Sequence, residues 1–90
     1  MKFSFILCTR NSERVLKEVV ESIVCQKIDN KFIEIILADY DSIDKTIEIV
    51  KNISKKNQIK LNHIQCHQPG KAPALELALD SAKGNYSVIV

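Results

Sequence analysis

Short apolar runs alternate with helical stripes along this 90-residue chain, and that alternation decides most of what it can fold into. The first run, Phe3 to Cys8, leads to Asn11 and Ser12, both good helix N-caps. Val15, Leu16, Val19, Val20, Ile23 and Val24 then fall on one stripe of a helix, with Glu13, Arg14, Lys17, Glu18 and Glu21 opposite. This helix is expected to end near Gln26, and Asp29-Asn30 reads as a turn. The second run, Phe32 to Ala38, is broken only by Glu34, so it reads as a strand covered on both faces. Ser42 is the expected N-cap of a second helix, with Asp44 in its first turn. Ile43, Ile47, Val50 and Ser54 mark its buried stripe. A more polar third strand within Ile59 to Cys66 suits a sheet edge. Gln68-Pro69-Gly70 breaks the chain, and Pro73 opens a third helix with a stripe of Leu75, Ala78, Leu79 and Ala82. Lys83 and Gly84 close it, and Tyr86 to Val90 starts a fourth strand.

The order is therefore β-α-β-α-β-α-β. Crossovers of this length require parallel strands and right-handed connections. The expected fold is an open three-layer α/β sheet with parallel strands in one domain. Such sheets bind ligands beyond the carboxyl ends of their strands. Three loops are singled out on that ground: Thr9 to Ser12, Asp39 to Ser42, and His67 to Ala72.

Composition narrows the class. The hydrophobic share of 46% is ample for a packed core and argues against disorder. Thirteen basic and eleven acidic residues leave a net charge of +2, with no electrostatic footprint for nucleic acid or an anionic membrane. No apolar run approaches the roughly 18 residues that would cross a bilayer. The interrupted first run has no small-residue cleavage site and reads as a buried strand rather than a leader. Cys8, Cys25 and Cys66 are odd in number and widely spaced, which suits a reducing cytoplasm; Cys8 and Cys25 read as inert core.

In the first loop, the N–H groups and dipole of the coming helix favour an anion, and Arg10 adds a charge or a flat stacking surface. In the second, Asp39 ends a buried strand, where a carboxylate accepts from a ribose hydroxyl or a base N–H. Asp41 serves equally as a turn residue, and Tyr40 could flank a ring. In the third, Gly70 permits close backbone approach and Lys71 reaches a phosphate or base carbonyl. No P-loop or G-x-G-x-x-G stands in the sequence. His63, Cys66 and His67 match no zinc spacing.

Taken in register, these segments resemble the N-terminal half of family 2 glycosyltransferases, which have the Rossmann-like GT-A fold. Phe5-Ile6-Leu7-Cys8-Thr9-Arg10-Asn11 resembles the family's first strand and its Thr/Tyr-Asn-type loop. Leu16 and Ser22-Ile23-Val24-Cys25-Gln26 resemble its first helix. The run from Glu34 to Thr46 is similar to E-I-I-V-V-D-D-G-S-T-D-x-T, with Tyr40 and Asp41 in place of Asp-Gly. Gly70 to Ala78 is similar to G-K-x-x-A-L-N-x-G, with Glu76 for Asn and Ala78 for Gly, and Gly84-Asn85-Tyr86 to G-[ED]-[YF].

The resemblance implies transfer of a sugar from a nucleotide-diphosphate donor to an acceptor whose identity stays open. It implies a nucleotide site of Thr9, Arg10, Asn11, Asp39, Asp41 and Lys71, with Asp39 on the base or ribose. Mg²⁺ or Mn²⁺ is expected for the full-length enzyme and not on this chain alone. The family's Asp-x-Asp motif would follow the fourth strand, so the 90 residues are expected to be an incomplete GT-A domain that binds nucleotide without turnover. A non-catalytic Rossmann-like nucleotide- or partner-binding module is the alternative. A homodimer through the exposed sheet edge is expected. The expected location is cytoplasmic, with attachment at the inner membrane face left open.

Overall fold

The computed structural model describes residues 2–25, 28–66, 76, 78–80, 82, 84 and 86–89. The elements are β1 (Phe3–Thr9), α1 (Glu13–Val24), a 3₁₀ turn (Asn30–Phe32), β2 (Ile33–Tyr40), α2 (Thr46–Lys56), β3 (Lys60–Cys66) and β4 (Tyr86–Ile89). Residues 76 and 78–80 are helical, as the third stripe requires. Gln26, Gly70, Lys71, Pro73, Leu75 and Lys83 lie outside the described residues.

The four strands form one parallel sheet in the order β3-β2-β1-β4. The two-sided apolar run at 32–38 thus becomes a central strand, and the polar third strand an edge. Alternation sorts side chains to two faces. On one, Phe5, Leu7, Ile33, Ile35 and Leu37 pack under Leu16, Val20 and Ile23 of α1 and Val50 of α2. On the other, Ile6, Ile36, Ala38 and Cys66 meet Ala78. Ile35, Ile36 and Leu37 are each fully buried, an effect of about 1.5–3 kcal/mol per side chain. The layers are therefore helix, sheet, helix.

Glu34 is buried at the amino end of the sheet, where the Ser4 hydroxyl donates to its Oε2 at 2.7 Å. Ser4 Oγ in turn accepts from the Gly84 N–H at 2.9 Å, so the approach to β4 is tied to β1. Glycine is needed at 84, because a Cβ there would stand 2.5 Å from Ser4 Oγ and 2.9 Å from both Lys2 O and Ser4 N.

Several local expectations are corrected. Helix α1 ends at Val24 with Cys25 as its C-cap, close to the expected end, but Cys25 is exposed rather than core. Strand β2 begins at Ile33, because Asp29 accepts from the Lys31 N–H and winds Asn30–Phe32 into a turn that leaves Phe32 40% exposed. The same strand runs through Asp39 to Tyr40, so Asp39 lies within it rather than after it. Helix α2 starts at Thr46, not at Ser42. Ile43 is consequently left on a loop, 93% exposed, instead of joining the buried stripe. Val15 and Leu79 also fall on outer surfaces.

Candidate nucleotide site

The loops after β1 and β2 are neighbours because their strands pair in parallel, with Thr9 opposite Asp39. Asp39 is fully buried there and takes three donors. The Thr9 hydroxyl and the Ser42 hydroxyl each donate to Oδ1 at 2.6 Å, and the Ser42 N–H donates to Oδ2 at 2.9 Å. A carboxylate so enclosed acts first as the pin of the 41–45 loop. Ser42 Oγ also accepts from the Asn11 N–H at 2.8 Å, and Asn11 Oδ1 accepts from the Ile43 N–H at 2.9 Å. Asn11 and Asp41 both adopt left-handed backbone, at φ 47° and 44°. Asn and Asp tolerate this conformation better than most residues. Asn11 is therefore a tether between loops rather than a helix cap.

The helix starts exchange their caps. Ser12, at the N-cap position of α1, makes no side-chain cap of its own. Its N–H instead donates to Thr46 Oγ1 at 2.8 Å, and the Glu13 N–H donates to Asp44 Oδ2 at 3.3 Å. Reciprocally, the Lys45 N–H donates to Glu13 Oε2 at 3.4 Å. Asp44 Oδ1 accepts from the Thr46 N–H at 3.0 Å and from the Thr46 hydroxyl. Each helix N-terminus is thus met by a carboxylate from the other connection. The loss of water around Asp44 opposes its charge, but hydrogen bonds from Thr46 and Glu13 outweigh that and hold its pKa below 3.8. The anion expected at the start of α1 is supplied by the protein itself.

What remains open lies on the outer rim. Arg10 is exposed, and its Cζ lies 4.6 Å from the centroid of the half-buried Tyr40 ring. Asp41 is exposed and accepts from Gln65 Nε2 at 2.9 Å across the end of β3. Beneath them Cys66 is buried; loss of water, then the carboxylates of Asp39 and Asp41, push its thiol above the usual 9.0. Of the six expected site residues, Thr9, Arg10, Asn11, Asp39 and Asp41 come together at the carboxyl edge of β1 and β2, while Lys71 lies outside the described residues. Thr9 and Asp39 form the floor, and Arg10 and Asp41 the rim. Ser42, Thr46 and Gln65 belong to the same network. Ser42 and Thr46 fall within the run that resembles the family's second-strand motif, but the sequence assigned them no site role, and nothing in it pointed to Gln65.

Among the described residues, no group of three or more His, Cys, Asp and Glu side chains is placed to hold a metal ion. They do not fit a divalent cation. At the rim they offer the Arg10 guanidinium and the Asp41 carboxylate. Among the same residues, no helix is long and apolar enough to cross a membrane.

Comparison with known proteins agrees with this geometry. The chain is 30% identical over all its 90 residues to a poly(ribitol-phosphate) β-N-acetylglucosaminyltransferase, TarS, of Staphylococcus aureus, but spans only 16% of that relative's length. The crystal structure of S. aureus TarS 1–349 in complex with UDP-GlcNAc matches the whole chain with a TM-score of 0.85 at 32% identity, over 26% of that structure. A mannosyltransferase from Pyrobaculum calidifontis, solved with GDP-Man and Mn²⁺, matches 91% of the chain with a TM-score of 0.81 at 25% identity, over 24% of its own length. The sheet is therefore that of a GT-A domain. Residues 4–90 match the model of glycosyl transferase family 2, and the chain belongs to that family.

Proposed function

We propose that this chain is the donor-binding half of a glycosyltransferase that moves a sugar from a nucleoside diphosphate to an acceptor. The observation that carries this reading is the pair of loops laced together at the carboxyl edge of β1 and β2. Thr9 and Asp39 pin them from below, and Arg10 and Asp41 face outward. Thr9 and Asp39 shape the nucleotide cleft through the loops they hold, and Asn11 keeps the two loops in step. Arg10, Asp41 and Lys71 meet the nucleotide directly. The UDP-GlcNAc and GDP-Man held by the two structural neighbours support a nucleotide-sugar donor.

Use of Mg²⁺ or Mn²⁺ by the whole enzyme belongs to the same reading, supported by the Mn²⁺ of the Pyrobaculum protein. The ion, when bound, would neutralise the leaving diphosphate. A cytoplasmic site of action is supported by three free cysteines. Self-association is proposed through the outer edge of β4, which among the described residues pairs with β1 alone and carries Val88 at 39% exposure. Light scattering at rising concentration tests it, and a persistent monomer refutes it.

The test of the donor site is a calorimetric titration of the chain with uridine, guanosine and thymidine diphosphates, with and without Mn²⁺. Saturable binding of at least one nucleotide is expected. Absence of binding by all three at millimolar concentration refutes the reading.

A further inference from the structure

We propose that the amino end of the sheet docks on an anionic lipid bilayer, with the carboxyl edge turned away from the membrane. The inference stands apart from the donor reading, because it uses neither of the loops that carry that reading.

Charge is sorted along the strand direction. Glu13, Asp39, Asp41 and Asp44 stand at the carboxyl edge, where the loops after β1 and β2 meet the starts of α1 and α2. Lys31, Lys55, Lys56 and Lys60 stand at the opposite end, and all four are exposed. A net charge of +2 averages the two ends and hides the difference.

Three segments bring these lysines to one end. Helix α2 runs back to the amino edge and finishes at Lys56, β3 begins at Lys60, and the 3₁₀ turn before β2 carries Lys31. The Asn30 side-chain amide donates to Asn57 O at 3.0 Å and ties the turn before β2 to the turn after α2. Gln58 adopts the left-handed φ of 56°, and the Ile59 N–H donates to Ser54 O at 2.9 Å, so β3 starts close beside the end of α2.

Lys55 and Lys56 suit the negative end of the α2 dipole. Lys31 and Lys60 lie outside that helix and have no such part in it. Among the described residues, no carboxylate forms an ion pair with Lys55, Lys56 or Lys60. The exposed acids described at this end are Asp29, 4.0 Å from Lys31, and Glu21 in the last turn of α1. Glu34 is buried.

Phe32 favours a bilayer over a soluble polyanion. Its ring is 40% exposed, with Lys31 Nζ 5.1 Å from the centroid. An aromatic ring beside cations settles at headgroup depth while the cations meet lipid phosphates. A soluble polyanion would offer that ring no apolar surface. With few charges and one ring, the attachment is reversible and sensitive to salt.

Co-sedimentation of the chain with vesicles tests this, using phosphatidylcholine alone and phosphatidylcholine mixed with phosphatidylserine. Urea midpoints confirm that each variant is folded. The parent should bind the mixed vesicles at low salt, release them as salt rises, and ignore phosphatidylcholine alone. Lys55→Ala with Lys56→Ala should bind roughly 25-fold more weakly, at about fivefold per lysine. Arg14→Ala with Lys45→Ala removes the same charge at the carboxyl edge and should bind within about twofold of the parent. Phe32→Ala should weaken vesicle binding several-fold and leave any binding to soluble polyphosphate unchanged. Absence of parent binding to mixed vesicles at low salt overturns the inference. Equal losses in the two double variants overturn it as well, because net charge alone would then govern binding. Vesicle binding untouched by a folded Phe32→Ala chain replaces the bilayer with a polyanion and overturns it too. If that variant does not fold, the two double variants decide.

Discussion

Replacing Asp39 by Asn keeps the shape of the side chain and removes its charge, so it isolates what the carboxylate does for the loop. In the parent, Oδ1 accepts from two hydroxyls and Oδ2 from the Ser42 N–H. The backbone N–H cannot reverse its role, so the amide oxygen of the variant must face it. The amide NH₂ then faces Thr9 and Ser42, whose hydroxyls must rotate to accept. Three hydrogen bonds to a charged acceptor, each contributing about 1.5–3 kcal/mol, become neutral ones of about 0.5–1.5 kcal/mol. The relief of burying a neutral group offsets part of the difference, leaving a loss of roughly 1–3 kcal/mol. A domain of this size has a total stability on the order of 5–13 kcal/mol, so the variant still folds. With a urea slope of about 1 kcal/mol per molar, its midpoint should fall by about 1–3 M. Its nucleotide affinity, measured well below that midpoint, should change little. An unchanged midpoint together with abolished nucleotide binding would refute the reasoning, because the carboxylate would then serve the ligand rather than the loop.

Three further outcomes are expected. Gly84→Ala should destabilise by roughly 1–3 kcal/mol in urea melts, since the new Cβ meets backbone at Lys2 and Ser4 that cannot turn aside. Asp44 has its pKa lowered in the folded state, so its contribution is present above pH 3.8 and is lost as pH falls through the folded value. Acid titration of Asp44→Asn followed by circular dichroism should therefore show a shallower loss of stability below pH 3.8 than the parent. The Cys66 thiol is raised, so its contribution is full below pH 9.0 and is lost as pH rises through the folded value. In native alkylation at pH 8, the exposed Cys25 should react first and Cys66 last, as mass spectrometry of timed samples would show.

The fold was legible because its signals are local. Strand β2 announces itself by an apolar run too short for a helix, and α1 by a stripe of period 3.6. Parallel pairing then followed from crossover length alone. The site was legible only in outline. Residue type and strand-end position drew attention to Thr9, Arg10, Asn11, Asp39 and Asp41. Whether each is floor or rim depends on partners about 30 residues away. Nothing in the local sequence says that Thr9 and Ser42 both donate to Asp39, and so bury it. Ile43 shows the same limit. Its spacing from Ile47 and Val50 is helical, yet the bond from its N–H to Asn11 holds it on the loop and delays the helix to Thr46. Tyr40 stood out from the sequence as a residue able to flank a ring, but only the structure shows what it meets, the Arg10 guanidinium over its face.

The exchanged caps at the starts of α1 and α2 have a consequence for how this rim can be altered. Glu13 serves one helix from the other's first turn, and Asp44 does the reverse, so neither end can fray without releasing its neighbour. The amides of Ser12, Glu13 and Thr46 should exchange with deuterium as one cooperative group. Anyone redesigning donor preference would have to transplant both connections together, because a single borrowed loop would arrive without the carboxylate that seals it.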